Sequence, residues 1–234
     1  MTPIDLDAIT HVFLTGAGIS AESGLPTFRD KAGLWRNHRP EVLADIYTWH
    51  SNYDLVHAFY SMRRARLAEV RPNAAHRAIA ALGDKALVLT QNVDNLFERA
   101  GCPNIIHLHG RLWMMQCLAC GHEWEIGFAE WTASDTCPAC RTRDQVKPGV
   151  VMFHEAAPAY AHLGILRQLD TRHTLAVIGT SGEVLDINHL VATSPAGRKV
   201  LNNAERSFAI LERIFNEVIY APATEVIDRV INGE

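Results

Sequence analysis

The segment HVFLTGAGISAES, residues 11–23, decides the fold. Its first five residues, His11–Thr15, form a short run of apolar and β-branched side chains that is typical of a buried strand. Gly16-Ala17-Gly18 follows as a turn before a helix start, and Ala21 completes the pattern G-x-G-x-x-G/A. Gly16 permits the tight turn, and Gly18 lets the backbone approach a pyrophosphate at the helix N-terminus. The segment therefore predicts a dinucleotide-binding strand–turn–helix unit.

The sequence after this unit is not typical of a dehydrogenase. A dehydrogenase would show a second strand ending in an acidic residue about twenty positions further on. Glu41 and Asp45 lie in that interval, but no strand precedes them. A dinucleotide site is therefore predicted without support for hydride transfer.

Short apolar runs and helical patterns alternate through the rest of the chain. The predicted strands are His11–Thr15, Lys85–Thr90, Asn104–Leu108, Pro148–Phe153, Thr174–Ile178 and Arg198–Leu201. The predicted helices are Asp54–Glu69, Ala74–Leu82, Asp94–Ala100, Ala159–Leu169 and Ala223–Ile231. This alternation predicts an α/β fold, a Rossmann-type parallel sheet with helices on both faces.

Two stretches interrupt the alternation, and we interpret them as a smaller lobe. Residues 31–72 read as a helical insertion, and residues 113–147 contain two pairs of cysteines. The Rossmann-type lobe would then consist of residues 1–30, 73–112 and 148–234.

The paired cysteines have zinc-ribbon spacing. Cys117 and Cys120 form one C-x2-C pair, and Cys137 and Cys140 form an identical second pair. Four thiolates in this pattern suit one tetrahedral structural Zn²⁺, whose closed coordination shell would contribute no chemistry. The fifth cysteine, Cys102, is interpreted as a small residue near a turn.

Composition limits the classes of function. The 234 residues are 48% hydrophobic and 21% charged with a net charge of −4, which excludes intrinsic disorder and gives no general attraction to nucleic acid. Residues 111–147 hold four Lys/Arg and five Asp/Glu, so the zinc module is no basic nucleic-acid ribbon either. The apolar runs are too short for a membrane span, and Met1–Ala8 has no basic residue of a secretory signal, so a cytoplasmic protein is expected.

Several motifs in order resemble those of one family. They are Gly16–Arg29, Thr90–Asn95, His107–Gly110, the two cysteine pairs, Pro148–Glu155 and Gly179–Gly182. Together they resemble the sirtuins, NAD-dependent protein-lysine deacylases, from about residue 11 to the C-terminus. The resemblance implies cleavage of the nicotinamide–ribose bond of NAD and transfer of an acyl group from lysine to ADP-ribose. Acylated-lysine proteins or peptides would be the partners; the oligomeric state stays open.

The resemblance also implies site residues. His109 matches the general base, and imidazole suits proton transfer near neutral pH. Asn92 and Asp94 match the nicotinamide pocket, although Asp94 could also cap a helix. Phe28 and Arg29 match a mobile cofactor loop. The matched cofactor-binding residues are Gly16, Ala17, Gly18, Ser20, Phe28, Arg29, Gln91, Asn92, Asp94, Gly179, Thr180, Ser181 and one of Asn202 and Asn203.

His109 has one main rival among the twelve histidines. His107 lies two residues earlier and shares a face with His109 if the segment is a strand. His107 does not occupy the His-Gly position, so His109 is favoured.

A further motif concerns the acyl group. Tyr60 and Arg63 lie three residues apart in a predicted helix, and this Y-x-x-R resembles class III sirtuins, which remove acidic acyl groups. A guanidinium with a phenol hydroxyl can hold a carboxylate. The alternative interpretation of this motif is a core tyrosine beside a solvated arginine, with no role in substrate binding. Ala44 matches a small residue that leaves room for long acyl chains.

The peptide is expected to pair beside Val151, Met152 and Phe153. The alternative is that these three residues form an ordinary core strand.

These matches predict a dual deacetylase and desuccinylase. The alternatives are a protein that acts mainly as an ADP-ribosyltransferase, a plain deacetylase, and a non-catalytic zinc and nucleotide-binding module. Retention of His109, Asn92 and Asp94 speaks against the last.

Some positions depart from the family pattern. Phe97 replaces a usual histidine, His154 replaces a glycine before Glu155, and Asp30 and Asp186 replace a frequent glycine and proline. The chain between Asp186 and Asn203 looks shortened, which leaves the asparagine of the adenosine ribose ambiguous. These departures affect the adenosine side and the peptide groove, and none removes a candidate catalytic group.

Overall fold

A computed structural model describes residues 4–27 and 40–233 of the chain. Phe28, Arg29 and Asp30, which the sequence analysis singled out, lie outside the described residues.

Within residues 4–27 and 40–233, nine strands form two sheets. In chain order they are β1 (His11–Thr15), β2 (Ala86–Thr90), β3 (Ile105–His107), β4 (Gly110–Cys117), β5 (Glu123–Glu125), β6 (Val146–Val150), β7 (Thr174–Ile178), β8 (Arg198–Asn203) and β9 (Glu217–Tyr220). The larger sheet is parallel, with strand order β3-β2-β1-β7-β8-β9. The chain order reverses between β1 and β7, which makes this the switch point where open α/β sheets bind ligands.

Seven α-helices accompany the sheets in the described ranges. They are α1 (Gly18–Ala21), α2 (Pro40–Leu43), α3 (Tyr53–Glu69), α4 (Ala74–Ala80), α5 (Leu96–Ala100), α6 (Ile187–Thr193) and α7 (Ala223–Asn232). Short 3-10 helices span His50–Asn52, Gly83–Lys85 and Glu212–Ile214, and a longer one spans Pro158–Arg167. No helix in these ranges has the length and apolar character needed to cross a bilayer.

The parallel sheet is buried on both faces. Val12 and Leu14 of β1 point into one core, which the long 3-10 helix and α6 cover. Phe13 points to the other side, into a core that α4, α5 and α7 cover. Continuous apolar strands such as β2, buried at all five positions, suit this arrangement. The predicted Rossmann-type α/β fold is confirmed.

The smaller sheet is antiparallel, in the order β5-β4-β6. Helices α2 and α3 share a core with β4 and β6, and a separate small core lies under the cysteines around Met115 and Trp131. The smaller lobe therefore has a sheet of its own besides the predicted helix and zinc module.

The structure differs from the sequence prediction at several elements. Pro148–Phe153 was expected in the main sheet, but the strand is Val146–Val150, and it pairs with β4. Residues 159–169, expected as an α-helix, form most of the 3-10 helix Pro158–Arg167. Strands β4, β5 and β9 and helix α6 were not predicted. The division into residue ranges for the two lobes stays a prediction.

Candidate active site

Three glycines form a close-packed cradle at the switch point. A Cβ on Gly16 would lie 2.7 Å from the Gly179 carbonyl oxygen, and one on Gly18 would lie 2.7 Å from Gly179 Cα. The Gly18 amide donates to that carbonyl at 2.8 Å. Gly179 itself has φ +67°, a conformation that favours glycine. The two loops can meet only because no side chain stands between them, and this leaves backbone open to a ligand.

A buried polar group lies beside the cradle. The Asn92 amide donates to Ser20 Oγ at 3.1 Å, and the Ser20 hydroxyl donates to Asp94 Oδ2 at 2.9 Å. Asp94 Oδ1 also accepts from the Leu96 amide at the start of α5, so its helix-start role and its place in this group hold together. Burial raises the pKa of Asp94, although these hydrogen bonds oppose the rise. Three polar side chains that the motifs singled out are thus brought into contact.

The other side of the cradle carries a second polar group. Gln91 donates to Thr180 Oγ1 at 3.1 Å, and Asn203 donates to the Thr180 carbonyl at 3.0 Å. Asn202 donates to two carbonyls of the β9 end, but its buried Oδ1 has no hydrogen-bond partner among residues 4–27 and 40–233. Ser181 accepts from Ser207 through its carbonyl oxygen. An unpartnered buried acceptor at the edge of the sheet is available to a ligand.

His109 is oriented by two contacts. Its Nδ1 lies 2.9 Å from the Gln91 carbonyl oxygen, which can only accept, so Nδ1 carries the proton in the neutral ring. Nε2 then holds the lone pair, and it lies 2.8 Å from the hydroxyl of Tyr160. Burial lowers the pKa of His109, although the bond to Gln91 opposes this. The ring is therefore held neutral with Nε2 as its basic atom.

His107 is arranged differently. Its Nδ1 lies 2.9 Å from the Asn92 carbonyl oxygen, and its Nε2 lies 2.6 Å from Glu98 Oε1. Both ring nitrogens face acceptors of the protein itself, so neither offers a lone pair to a substrate. The geometry favours His109 over this rival.

Tyr60 and Arg63 point the same way from α3. The Arg63 guanidinium carbon lies 5.6 Å from the centre of the Tyr60 ring. Burial lowers the pKa of Arg63, opposed by Tyr60 and by the carboxylate of Asp94. Within the described ranges Arg63 forms no ion pair and the Tyr60 hydroxyl no hydrogen bond. Tyr60 is buried and Arg63 is partly exposed, so the burial of the pair agrees with a core tyrosine beside a partly solvated arginine as well as with a carboxylate site.

The segment Val151–Phe153 connects the candidate base with the small lobe. The Val151 amide donates to the His109 carbonyl at 2.9 Å, and the Phe153 amide donates to the Ala44 carbonyl at 2.7 Å. The Phe153 carbonyl accepts from Ile46, so both backbone groups of Phe153 are engaged within the chain. Met152 is buried, whereas Phe153 is 45% exposed. The expected peptide-binding residues are brought next to His109.

The four paired cysteines meet in space. Their sulfur atoms all lie within 4.8 Å of one another, and two of the Sγ–Sγ distances are 3.6 and 3.7 Å. A tetrahedral zinc with bonds of about 2.3 Å needs sulfurs about 3.8 Å apart, so the cluster fits the ion.

The two cysteine turns are matched in geometry. The Gly121 amide donates to the Cys117 carbonyl and the Arg141 amide to the Cys137 carbonyl, with φ of +73° and +65° at the donor residues. Cys102 is buried elsewhere, and burial raises the pKa of its thiol to about 11, which does not suit a nucleophile. The predicted four-thiolate zinc module is confirmed as a cluster that fits a structural zinc.

Two functional candidates were missed by the sequence analysis. Tyr160, on the 3-10 helix Pro158–Arg167, contacts the basic nitrogen of His109, and it lies outside every motif. Lys147 is 1% exposed and pairs with Glu155 at 3.2 Å behind the segment Val151–Phe153. Neither contact has a sequence signal, since each depends on how distant or looped segments pack.

The fold and site together define a Rossmann-type dinucleotide-binding protein with an attached four-thiolate zinc module. Residues 16–186 match the model of the family described as the Sir2 family. The chain belongs to the Sir2 family.

Relatives agree along nearly the whole chain. A Helicobacter hepaticus protein named NAD-dependent protein deacylase is 39% identical, covering 92% of this chain and 93% of the relative. A Campylobacter jejuni protein of the same name is 40% identical, covering 94% and 93%. A solved complex of a mutant Sir2 homologue with ADP-ribose has a TM-score of 0.84 at 33% identity, covering 100% of this chain and 96% of that chain. A Sir2 homologue in complex with NAD has a TM-score of 0.82 at 33% identity, covering 94% and 87%. The predicted family, fold and type of enzyme are confirmed.

Proposed function

We propose that this protein is an NAD-dependent protein-lysine deacylase that works as both a deacetylase and a desuccinylase. The observation that carries the proposal is the neutral imidazole of His109, whose basic Nε2 lies at the same sheet edge as the glycine cradle. Reduced, zinc-binding thiols suit the cytoplasm as the compartment.

The residues present fit NAD as the cofactor. Gly16, Gly18 and Gly179 leave no side chain over the loop, so a pyrophosphate can approach its backbone closely. Buried acceptors without a partner in the described part of the chain, Thr15 Oγ1 and Asn202 Oδ1, lie at the ends of β1 and β8. Gly16–Gly18 with Thr180 and Ser181 would hold the phosphates, and Gln91, Asn202 and Asn203 would hold the riboses.

The pocket of Ser20, Asn92 and Asp94 would receive the nicotinamide. When bound there, NAD supplies a ribose carbon that an acyl oxygen can attack while nicotinamide leaves. The side chains of this pocket hold one another through the hydrogen bonds described above, so the pocket is preorganised before the ligand arrives.

His109 would act as the general base. With Nδ1–H held by the Gln91 carbonyl, Nε2 can accept the proton of a ribose hydroxyl. Since burial lowers the pKa of His109, the ring is neutral and ready to accept at physiological pH. The imidazolium formed would keep its Nδ1 bond to Gln91.

Arg63 and Tyr60 would select acidic acyl groups. The partly exposed guanidinium of Arg63 has no carboxylate partner in the described ranges, and a succinyl carboxylate would supply that partner. The hydroxyl of Tyr60 could add one hydrogen bond. Ala44, small and nearly buried, leaves room beside them for the longer chain.

The acylated peptide would lie along Val151, Met152 and Phe153. The backbone of Phe153 is already paired with Ala44 and Ile46, whereas the Val151 carbonyl accepts no hydrogen bond from a described residue. Strand-like pairing of the peptide would therefore use Val151 first. Phe153, half exposed, would contact a side chain that flanks the lysine.

The proposal is tested with acetyl-lysine and succinyl-lysine peptides, with and without NAD, followed by mass spectrometry of the released ADP-ribose ester. The wild type should release both acyl groups only with NAD, and His109→Ala should slow both at least about a hundredfold. Arg63→Met should slow desuccinylation roughly ten- to a hundredfold and leave deacetylation nearly unchanged. Arg66→Met, on an exposed face of the same helix, is the matched control and should change neither.

Release without NAD would refute the enzyme class. Equal loss of both activities in Arg63→Met, or no loss of desuccinylation, would refute the carboxylate-binding role. ADP-ribose attached to the protein substrate in place of free acyl-ADP-ribose would favour the ADP-ribosyltransferase alternative.

A further inference from the structure

The hydroxyl of Tyr160 covers the basic nitrogen of His109. The Oη–Nε2 distance is 2.8 Å, and the ring centres lie 5.7 Å apart. Because the Gln91 carbonyl fixes the proton on Nδ1, the neutral ring can only accept at Nε2, so the tyrosine hydroxyl donates. The Tyr160 hydroxyl therefore occupies the position beside Nε2 that a substrate hydroxyl must take to give its proton to His109.

Tyr160 reaches this place from the Rossmann-type lobe. It is the third residue of the 3-10 helix Pro158–Arg167, and its amide donates to the Ala157 carbonyl at 2.9 Å. Its ring packs partly buried against the core that includes Leu166 and Leu108. The Tyr160 ring is thus held by packing, and its hydroxyl points toward His109.

The same helix follows directly after the segment proposed to bind the peptide. Glu155 accepts a hydrogen bond from the Met152 amide at 2.9 Å, and only four residues lie between Glu155 and Tyr160. A peptide that pairs with Val151 would therefore lie close to the start of the 3-10 helix that carries Tyr160. The tyrosine contact and the peptide segment share one short stretch of chain.

We propose that Tyr160 is a positioning residue for the base: in the free enzyme its hydroxyl holds Nε2 of His109, and it yields this place to the ribose hydroxyl once both substrates are bound. The inference rests on the proposed function. A hydrogen bond donated to Nε2 exists only with the neutral ring, so it selects the Nδ1–H tautomer and disfavours protonation.

The described groups that contact the ring of His109 carry no charge. Tyr160 faces it from the 3-10 helix, and the Gln91 carbonyl faces it from the end of β2. His107, at the end of β3, is turned toward Glu98. No carboxylate or cation of the described ranges pairs with the His109 ring, so the effect of one hydroxyl is measurable.

The test compares Tyr160→Phe, which removes only the hydroxyl, with the wild type in two measurements. Long-range ¹H–¹⁵N NMR of the histidine-labelled free protein, assigned with His109→Gln, reports the tautomer and the pKa of His109. The pH profile of kcat/KM for deacylation reports the same group in turnover. Tyr220→Phe, which loses a hydroxyl bonded to Glu212 and not to His109, is the matched control.

We expect Tyr160→Phe to raise the pKa of His109 by about half to one unit and to move the acid limb of kcat/KM upward by the same amount. KM for the peptide should stay unchanged, since the ring remains packed. Tyr160→Ala should show the same rise of the pKa with an added loss of stability. Tyr220→Phe should match the wild type in both measurements.

An unchanged titration of His109 in Tyr160→Phe would overturn the inference, as would a change seen only in Tyr160→Ala, which would indicate packing. The NMR measurement needs neither NAD nor peptide. A wild type that lacks NAD-dependent deacylation would refute the proposed function and leave the His109–Tyr160 contact to be judged by NMR.

Discussion

The ammonium group of Lys147 lies 3.2 Å from the carboxylate of Glu155, and the lysine side chain is 1% exposed. The same ammonium donates to the carbonyls of Val150 and Pro148. Glu155 in turn accepts from the Met152 amide. The ion pair therefore links the carbonyl just before the proposed peptide-binding segment to the amide at the middle of that segment. Burial lowers the pKa of Lys147, and the neighbouring Glu155 opposes this and favours the charged form.

Replacing one partner of this pair should be costly. Lys147→Met leaves the Glu155 carboxylate largely buried without its cation, and we expect a loss of about 3 kcal/mol in the free energy of unfolding. Urea denaturation measures this loss. The double variant Lys147→Met/Glu155→Leu should recover part of it because no lone charge remains, and the exposed Lys85→Met should be neutral. A double variant less stable than Lys147→Met would contradict the explanation.

Gly179 should not tolerate a side chain. A Cβ there would lie 2.5 Å from the Ile19 amide nitrogen and 2.8 Å from Gly18, in a conformation with φ +67°. Gly179→Ala should lower the free energy of unfolding by about 2 kcal/mol or more and weaken NAD binding at least about tenfold, since the cradle must open. Denaturation and calorimetric titration with NAD measure the two effects.

Gly164→Ala is the control for this substitution. Gly164 lies in the 3-10 helix Pro158–Arg167, and a Cβ there would meet nothing within 4 Å. Its stability and its NAD affinity should equal those of the wild type. Normal NAD affinity in Gly179→Ala would contradict the assignment of the glycine cradle to the cofactor site.

The sequence predicts the centre of the fold better than its edges. Strands β1, β2 and β7 are buried on both faces, so each appears as a continuous apolar run. Strand β9 is short and partly exposed at the edge of the sheet, and its sequence EVIY shows little pattern. Strand β6 contains Pro148 and Gly149, which suit its place in a small irregular sheet and not a central strand.

The candidate site is predictable where its residues belong to motifs. His109, Asn92 and Asp94 were placed by resemblance, and the turns after parallel strands bring them to one edge. Tyr160 lies 51 residues from His109 in the chain, and only the packing of the 3-10 helix brings them together. Residues that act through such packing leave no local pattern to recognise.

Removing the zinc should loosen the small lobe. Trp131 packs in the core under Cys117 and Cys137, so its fluorescence should change when a chelator removes about one zinc per chain. The Tyr53 hydroxyl, on α3, accepts from Trp131 and donates to the Arg143 carbonyl, which couples α3 to the cysteine turns. If Arg63 of α3 holds the succinyl carboxylate as proposed, desuccinylation should fall before deacetylation does.

The matched variants for the zinc site are Cys140→Ala and Cys102→Ala. Cys140→Ala should bind less than one zinc per chain, whereas Cys102→Ala should keep the full amount, measured by elemental analysis. A fold and tryptophan signal unaffected by complete zinc removal would argue against a structural metal.

Two buried histidines should make the stability fall in mild acid. Burial lowers the pKa of both His57 and His76 to about 4, and the unfolded chain titrates near the ordinary value of about 6.5. Between these values the unfolded state binds more protons, so stability drops as the pH falls below about 6.5. The slope should approach 1.4 kcal/mol per pH unit for each histidine, measured by urea denaturation at several pH values.

His57→Phe should separate this effect from that of the carboxylates. The ring of His57 stacks on Trp131 at 5.4 Å, its Nε2 bonds to the Val146 carbonyl, and its buried Nδ1 has no partner among the described residues. Phenylalanine keeps the stacking and cannot be protonated. The pH dependence of the free energy of unfolding between pH 5 and 6.5 should therefore lose the contribution of about one proton. Hydrogen bonds from Arg198 lower the pKa of Glu217, which therefore loses its contribution only at more acidic pH. His162→Gln, on the surface, should keep the wild-type slope, and an unchanged slope in His57→Phe would show that His57 is not held neutral in the fold.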